Sequence, residues 1–242
     1  METVIEVKNL QKAFGELKIL RGVDLKLHKG ENIGIVGKSG SGKSVLTKCI
    51  VRLIEPDAGE VYISGKDILN MNDNELTAIR KKVGYLFQGG ALYDSMNVRE
   101  NLEFPIRRTQ FVGHHSEVEN MVVEALENVG MLSAIGKMPA ELSVGMRKRI
   151  GLARAIILKP EIIFYDEPTS GLDRVTAGEI SDLIVEIQEK YQTASIIITH
   201  DLKCAKEATN RIILLKDGLF CTEGTFDELS HSEDKEIRDY LT

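Results

Sequence analysis

The octapeptide GKSGSGKS, Gly37 to Ser44, lies between the apolar run IGIV and the helix-like run KSVLTKCIVRLI. It fits G-x-x-x-x-G-K-[ST] in a strand–loop–helix setting. Glycines let successive backbone N–H groups curl around a phosphate, and the helix that follows adds the partial positive charge of its N-terminus. On this reading Gly37, Lys38, Ser39, Gly40, Ser41, Gly42, Lys43, Ser44 and Val45 form a phosphate cradle. Lys43 reaches the β- and γ-phosphates as a point charge, and the Ser44 hydroxyl ligates Mg²⁺. A plain Gly/Ser turn is the competing reading; the flanking strand and helix count against it.

A second constellation is IIFYDEP, Ile162 to Pro168, a buried strand ending in two acids. An acid at the carboxyl end of a strand beside a phosphate loop can hold Mg²⁺ directly or through water, which makes Asp166 the candidate. Glu167 then projects toward the γ-phosphate, where a carboxylate can orient and deprotonate water. The alternative is an acidic turn before Pro168. His200 ends the apolar run SIIITH and Gln88 closes GYLFQ. Each has an ordinary structural reading, but open parallel sheets place their ligands at the carboxyl ends of strands. Phe14, before Gly15, reads by itself as a core aromatic. His114 and His115 have no acid or cysteine at ligand spacing, so no metal site is expected there. Arg80 to Lys82, RKK, reads as a solvated basic face.

These residues need a scaffold. Expected strands are Val4–Val7, Val23–Leu27, Ile33–Val36, Val61–Ile63, Val83–Phe87, Ile162–Tyr165, Ser195–Thr199 and Ile212–Leu215. The runs IGIV, IIFY and SIIIT are almost continuously apolar, as parallel strands covered on both faces should be. Helical segments follow Lys43, Glu75, Glu117, Ser143, Thr176 and Asp201. The expected class is α/β with an antiparallel β section near the N-terminus. Strand signals stop between about Gly89 and Lys159, a block read as a helical subdomain (89–159) inserted into one domain spanning 1–242. Met96, Met121, Met131, Met138 and Met146 fall in it, either filling core gaps or facing a partner. The tail HSEDKEIRDYLT reads as a solvated helix or frayed end.

With 242 residues and 43% hydrophobic content, the chain can bury a sizeable core. Its net charge of -6 argues against wrapping nucleic acid by bulk electrostatics. Cys49, Cys204 and Cys221 are odd in number and far apart, which fits free thiols in a reducing compartment. METVIEVKNLQKAFG carries charges throughout, unlike a signal peptide. No apolar run approaches the roughly 18 residues of a membrane span, so a membrane role must come through a partner.

The order of phosphate loop, Gln88, LSVGM, IIFYDEP, SGLD and His200 resembles the ATP-binding-cassette (ABC) ATPases along essentially the whole chain. The resemblance implies a P-loop NTPase (RecA-like) core and a homodimer sandwiching two ATP molecules. Each nucleotide would lie between the phosphate loop of one subunit and the signature helix of the other. It implies that Gln88 serves Mg²⁺ and coupling to a membrane partner, that Asp166 assists the metal and that Glu167 is the base. His200 would contact the γ-phosphate, Phe14 would stack on adenine, and Asp173 of SGLD would belong to a cross-dimer loop. The segment LFQGGALYDSMNVRENLEFPIR, Leu86 to Arg107, is similar to the ATPase subunits of Mla-type, MCE-associated phospholipid transporters. So is ELSVGMRKRIGLARA, because Met146 stands where most of the family has glutamine. That similarity implies an integral permease, an MCE-type lipid-binding protein beyond it, and a place on the cytoplasmic face of the bacterial inner membrane. A transporter ATPase for another small substrate would carry the same motifs. A soluble ABC ATPase is a further alternative, although the chain has one cassette and no heptads.

Most of the family has glycine at position 144, where this chain has valine. Ser143 suits an N-cap, with Val144, Gly145 and Met146 in the first turn. First-turn N–H groups have no partner inside the helix and can point at a phosphate of the opposite subunit. Val144 is therefore expected to be helical with negative φ, leaving the Ser143 hydroxyl and Gly145 N–H for ATP.

Overall fold

The computed structural model describes residues 2–109 and 114–241; residues 1, 110–113 and 242 of the expected domain and insertion lie outside the described residues. Two sheets organise the chain. Strands β1 (Thr3–Phe14), β2 (Leu17–His28), β4 (Ala58–Ile63) and β5 (Lys66–Asp67) form an antiparallel sheet in the order β2-β1-β4-β5. The second sheet has the order β10-β9-β3-β8-β7-β6. It contains β3 (Asn32–Val36), β6 (Val83–Leu86), β7 (Ile162–Asp166), β8 (Ala194–Ile198), β9 (Arg211–Lys216) and β10 (Leu219–Gly224). Its pairings are parallel except β9 with β10.

Every residue of β3, β7 and β8 is buried. Isoleucine-rich segments of this kind can be hidden only between layers, so they occupy the middle of the sheet. Helix α1 (Lys43–Ile50) packs between the sheets, where Leu46 and Ile50 join Leu10, Leu27, Ile35 and Phe164 in one core. Each fully buried side chain of that size contributes about 1.5–3 kcal/mol. The other face carries α3 (Val98–Arg108), α4 (His115–Glu127), α5 (Val144–Ile156) and α6 (Arg174–Tyr191). Val98, Leu126 and Ile150 meet Tyr165 and Ile180 in a second core there. Met121, Met131 and Met146 pack against this core, whereas Met138 is an exposed hydrophobic. The remaining elements are α2 (Asp73–Arg80), α7 (Leu202–Ala208), α8 (Phe226–Ser230) and α9 (Lys235–Leu241). No helix among the described residues is long and apolar enough to cross a membrane.

Several expectations change. Phe14 is not a core residue; it ends β1 and is half exposed. β6 stops at Leu86, which leaves Phe87 and Gln88 in the loop. The tail is neither frayed nor simply solvated: Leu241 is buried, and Ile237 and Tyr240 pack beside Leu214 and Ala205. The RKK run does lie on an exposed face as expected, with Arg80 donating to Val51 O and Arg52 O, Lys81 to Thr109 O, and Lys82 pairing with Glu161. β5, α3, α8 and β10 were not expected. Helix α3 forms despite Pro105 because Asn97 and Glu100 close a capping box at its start. β10 follows β9 through Asp217 and Gly218, both at positive φ, a short turn suited to a hairpin. Cys49 and Cys204 are buried and Cys221 exposed, all as free thiols.

Parallel pairing puts the carboxyl ends of β3, β6, β7 and β8 on one edge. The chemistry-bearing loops leave from that edge.

Candidate functional site

The loop after β3 curls back on itself and enters α1 at Gly42, whose φ is 104°. An L-residue there would be strained, and a Cβ would come within 2.9 Å of the Ile19 side chain. Lys43 does not extend into solvent. Its Nζ donates to Gly37 O at 2.7 Å and Lys38 O at 3.1 Å, and the residue is 7% exposed. Burial lowers its pKa, against the opposing pull of Glu167 and Asp166. An ammonium is thus stored inside the loop, at the mouth of a cleft of about 520 Å³.

Asp166 is the last residue of β7 and accepts a hydrogen bond from Ser44 Oγ at 2.9 Å. The next residue, Glu167, has φ 52°. A left-handed backbone costs a non-glycine residue about 1–2 kcal/mol, so the surroundings must hold it. The Glu167 N–H donates to Ile198 O at 2.9 Å, and its carbonyl accepts from Lys148 Nζ at 2.7 Å. The side chain lines the same cleft, where Oε2 accepts from His200 Nδ1 at 2.7 Å. Glu167 and His200 follow the carboxyl ends of β7 and β8, and the pairing of those strands brings them together. Gln88 lines the cleft as well, its Nε2 3.5 Å from Ser170 Oγ.

Not every expected site residue gathers here. Gly37 to Gly40 and Gly42 to Val45 line the cleft; Ser41 lines the adjoining cavity of about 790 Å³. Phe14, Ser143, Gly145 and Asp173 line neither. The Phe14 ring instead sits 5.4 Å from Lys12 Nζ. Ser143 caps α5 and accepts from the Met146 N–H at 3.2 Å. Asp173 caps α6, accepting from the N–H groups of Val175 and Thr176. The two helix starts are packed together: a Cβ on Gly145 would lie 2.8 Å from Thr176 Cγ2.

Val144 is the first residue of α5 and is absent from the residues with positive φ, as expected from its position. It is 44% exposed, so within one chain nothing crowds it. Val144→Gly is accordingly expected to alter the ATPase rate by less than ~3-fold, since the propensity difference between the two residues is only a few tenths of a kcal/mol. A tenfold gain in a phosphate-release assay would show that valine handicaps the site.

Sequence reasoning missed two residues. Tyr240 of α9 lines the cleft and the adjoining cavity, and its phenol is shifted upward by burial, with the Gly37 N–H opposing. The spacing of Ile237, Tyr240 and Leu241 is a helical apolar stripe and was the available signal. Lys148 carried none, being one of four basic residues in RKRIGLAR.

The donor set suits a hard cation. Ser44 Oγ and Asp166 Oδ1 are oxygen ligands brought to one spot beside the buried Lys43, the kind of partners Mg²⁺ takes alongside phosphate. A parallel sheet, a glycine-rich loop holding a lysine at its carboxyl edge, and a carboxylate facing it define a P-loop nucleotide hydrolase.

A sequence model of the family described as ABC transporter matches residues 20–170. The "Probable ribonucleotide transport ATP-binding protein mkl" of Mycobacterium leprae is 39% identical over 241 residues, covering 100% of this chain and 69% of that protein. The "Intermembrane phospholipid transport system ATP-binding protein MlaF" of Haemophilus influenzae is 36% identical over 240 residues, covering 99% and 90%. Among solved structures, the dimeric post-hydrolysis state of the ATP-binding cassette MJ0796 bound to ADP and Pi superposes with a TM-score of 0.84. It is 34% identical, with 91% of this chain and 98% of that chain covered. The chain belongs to the ABC transporter family, as an ATP-binding subunit that hydrolyses ATP with Mg²⁺.

Proposed function

We propose that this ATPase powers phospholipid trafficking between bacterial envelope membranes, together with an MCE-type lipid-binding protein and an integral permease. The observation that carries the catalytic part is the convergence of Lys43, Ser44, Asp166, Glu167 and His200 at one edge of the sheet. Lys43 draws the phosphates of ATP into the loop. Glu167 takes the proton of the attacking water, and His200 steadies that carboxylate and reaches the γ-phosphate. Ser44, Asp166 and Gln88 would hold Mg²⁺, which when bound neutralises charge on the phosphates. Phe14 serves the adenine. Ser143 and Gly145 reach the nucleotide of a second copy in a homodimer, with Asp173 at the seam. Residues 89–159 act as an inserted helical subdomain that reports nucleotide state to the permease.

The permease reading is supported by a groove of about 500 Å³ lined by Phe87, Tyr93, Phe104, Arg80 and Arg108. The Tyr93 and Phe104 rings lie 4.7 Å apart, with Arg154 and Arg108 stacked 5.8 and 5.0 Å from them. Such a surface suits a cytoplasmic segment with an apolar anchor and an acidic partner residue. The ATPase would then sit peripherally on the cytoplasmic face of the inner membrane, with no nucleic acid partner. Replacing both Tyr93 and Phe104 by alanine is expected to cut permease association by tenfold or more, as loss of aromatic anchors does; ATP affinity should not change.

The phospholipid rests on the MlaF relative and the Leu86 to Arg107 segment, while the mkl relative is named for ribonucleotides. Affinity purification of the membrane complex, with mass spectrometry of bound proteins and lipids, tests it. Recovery of a permease, an MCE-type protein and phospholipid supports the reading. A solute-binding protein, a nucleotide or no membrane partner would replace it.

A further inference from the structure

We propose that Lys148 is a positioning residue that holds the backbone of Glu167 in place and ties the signature helix to the catalytic base of its own subunit. The proposal rests on the reading of Glu167 as that base. Glu167 keeps a left-handed backbone, φ 52°, and its two peptide groups are fixed from different elements. Its N–H is held by Ile198 of β8. Its carbonyl accepts from Lys148 Nζ at 2.7 Å and, more loosely, from the Ser170 N–H at 3.3 Å.

Lys148 is 2% exposed, one of the largest fully buried side chains among the described residues. A buried ammonium is costly unless its donors are used. It forms no ion pair within 4 Å among the described residues, and the bond to Glu167 O is its close contact. Burial lowers its pKa to about 8, with Glu167 and Asp166 pulling the other way. A methionine or leucine would fill the volume without that cost. What the amine adds is a directed bond to a strained peptide next to the cleft.

Its place on α5 gives the bond a further consequence. Lys148 lies five residues after the cap Ser143, roughly 7–8 Å along the same helix. In the two-copy arrangement, the start of α5 meets the nucleotide of the other subunit. A small shift of this rigid helix on nucleotide contact therefore moves the Lys148 amine, and with it the peptide that aims Glu167. The base of one site thereby responds to ATP in the other.

The test is Lys148→Met, assayed for melting temperature, ATP binding, KM and kcat. The protein should fold and bind ATP within ~2-fold of wild type, with KM little changed and kcat down ~10-fold or more, the pattern of an interaction needed in the transition state. Lys148→Arg, which keeps a buried N–H donor, should recover kcat to within ~3-fold. A kcat within ~2-fold of wild type in the Met protein overturns the proposal, as does a parallel loss of ATP affinity or an Arg protein as slow as the Met protein. If the Met protein does not fold, Lys148→Leu, which also lacks a donor, takes its place with the same outcomes. Glu167→Gln measured alongside separates the two claims. An active Glu167→Gln protein removes the base, whereas an inactive one beside an active Lys148→Met protein removes only the role of Lys148.

Discussion

Glu167→Gln lowers kcat for ATP by ~10²–10⁴-fold, the range for loss of a general base, and leaves ATP binding intact. The substitution is nearly isosteric. Left-handed backbone does not exclude glutamine, since Gln192 of this chain holds φ 52° as well. The side-chain oxygen can still accept from His200 Nδ1, now 2.7 Å from Glu167 Oε2. What disappears is the ability to take a proton from water. Because Lys43 and Ser44 are untouched, the phosphates remain bound and the protein should stall with ATP in place. Phosphate release under steady-state conditions, alongside nucleotide binding by calorimetry, checks both halves. Near-normal hydrolysis would remove Glu167 from the base role.

Lys43→Ala acts earlier. The amine lies inside the loop, bonded to Gly37 O and Lys38 O, so the phosphates need only displace carbonyl partners to reach it. Losing a hydrogen bond between charged groups costs ~1.5–3 kcal/mol, so ATP affinity should fall by ~10–100-fold. The developing charge of the transition state loses its donor too, so kcat should drop by ~10²-fold or more. The fold should tolerate the change, since burial disfavours the ammonium that alanine removes. A Lys43→Ala protein with wild-type binding and turnover would refute the phosphate-loop assignment.

The parts of the molecule readable from sequence were those whose physics is local. IGIV, IIFYD and SIIIT are too apolar to lie anywhere but between layers, and the strands β3, β7 and β8 are buried at every residue. The glycine spacing of the phosphate loop and the serine cap of α5 are likewise short-range. Helix α3 was hidden because Pro105 breaks the expected pattern, and its stability comes from the Asn97–Glu100 cap and from Val98, Leu102 and Ile106 in the core. β10 alternates exposed and half-buried residues, so it offers little apolar signal.

At the site, residue identities were legible and their contacts were not. Glu167 and His200 each stood at a strand end, but only the pairing of β7 with β8 makes them partners. Lys148 looked like surface charge, and its burial depends on α5 packing so that the amine reaches the Glu167 carbonyl. Tyr240 needed the whole chain to return to the phosphate loop before it could line the cleft.

One measurement bears most directly on the central claim, that hydrolysis takes place in a site shared by two copies. It is the solution mass of Glu167→Gln protein by light scattering, with and without Mg-ATP. Ser143 and Gly145 lie away from the cleft of their own chain, so on the proposed ATP-sandwich reading a second copy brings them to each nucleotide. The mass should therefore double on adding Mg-ATP, and Ser143→Arg in the same background should prevent the doubling. A protein that binds Mg-ATP yet keeps its monomer mass would contradict the account.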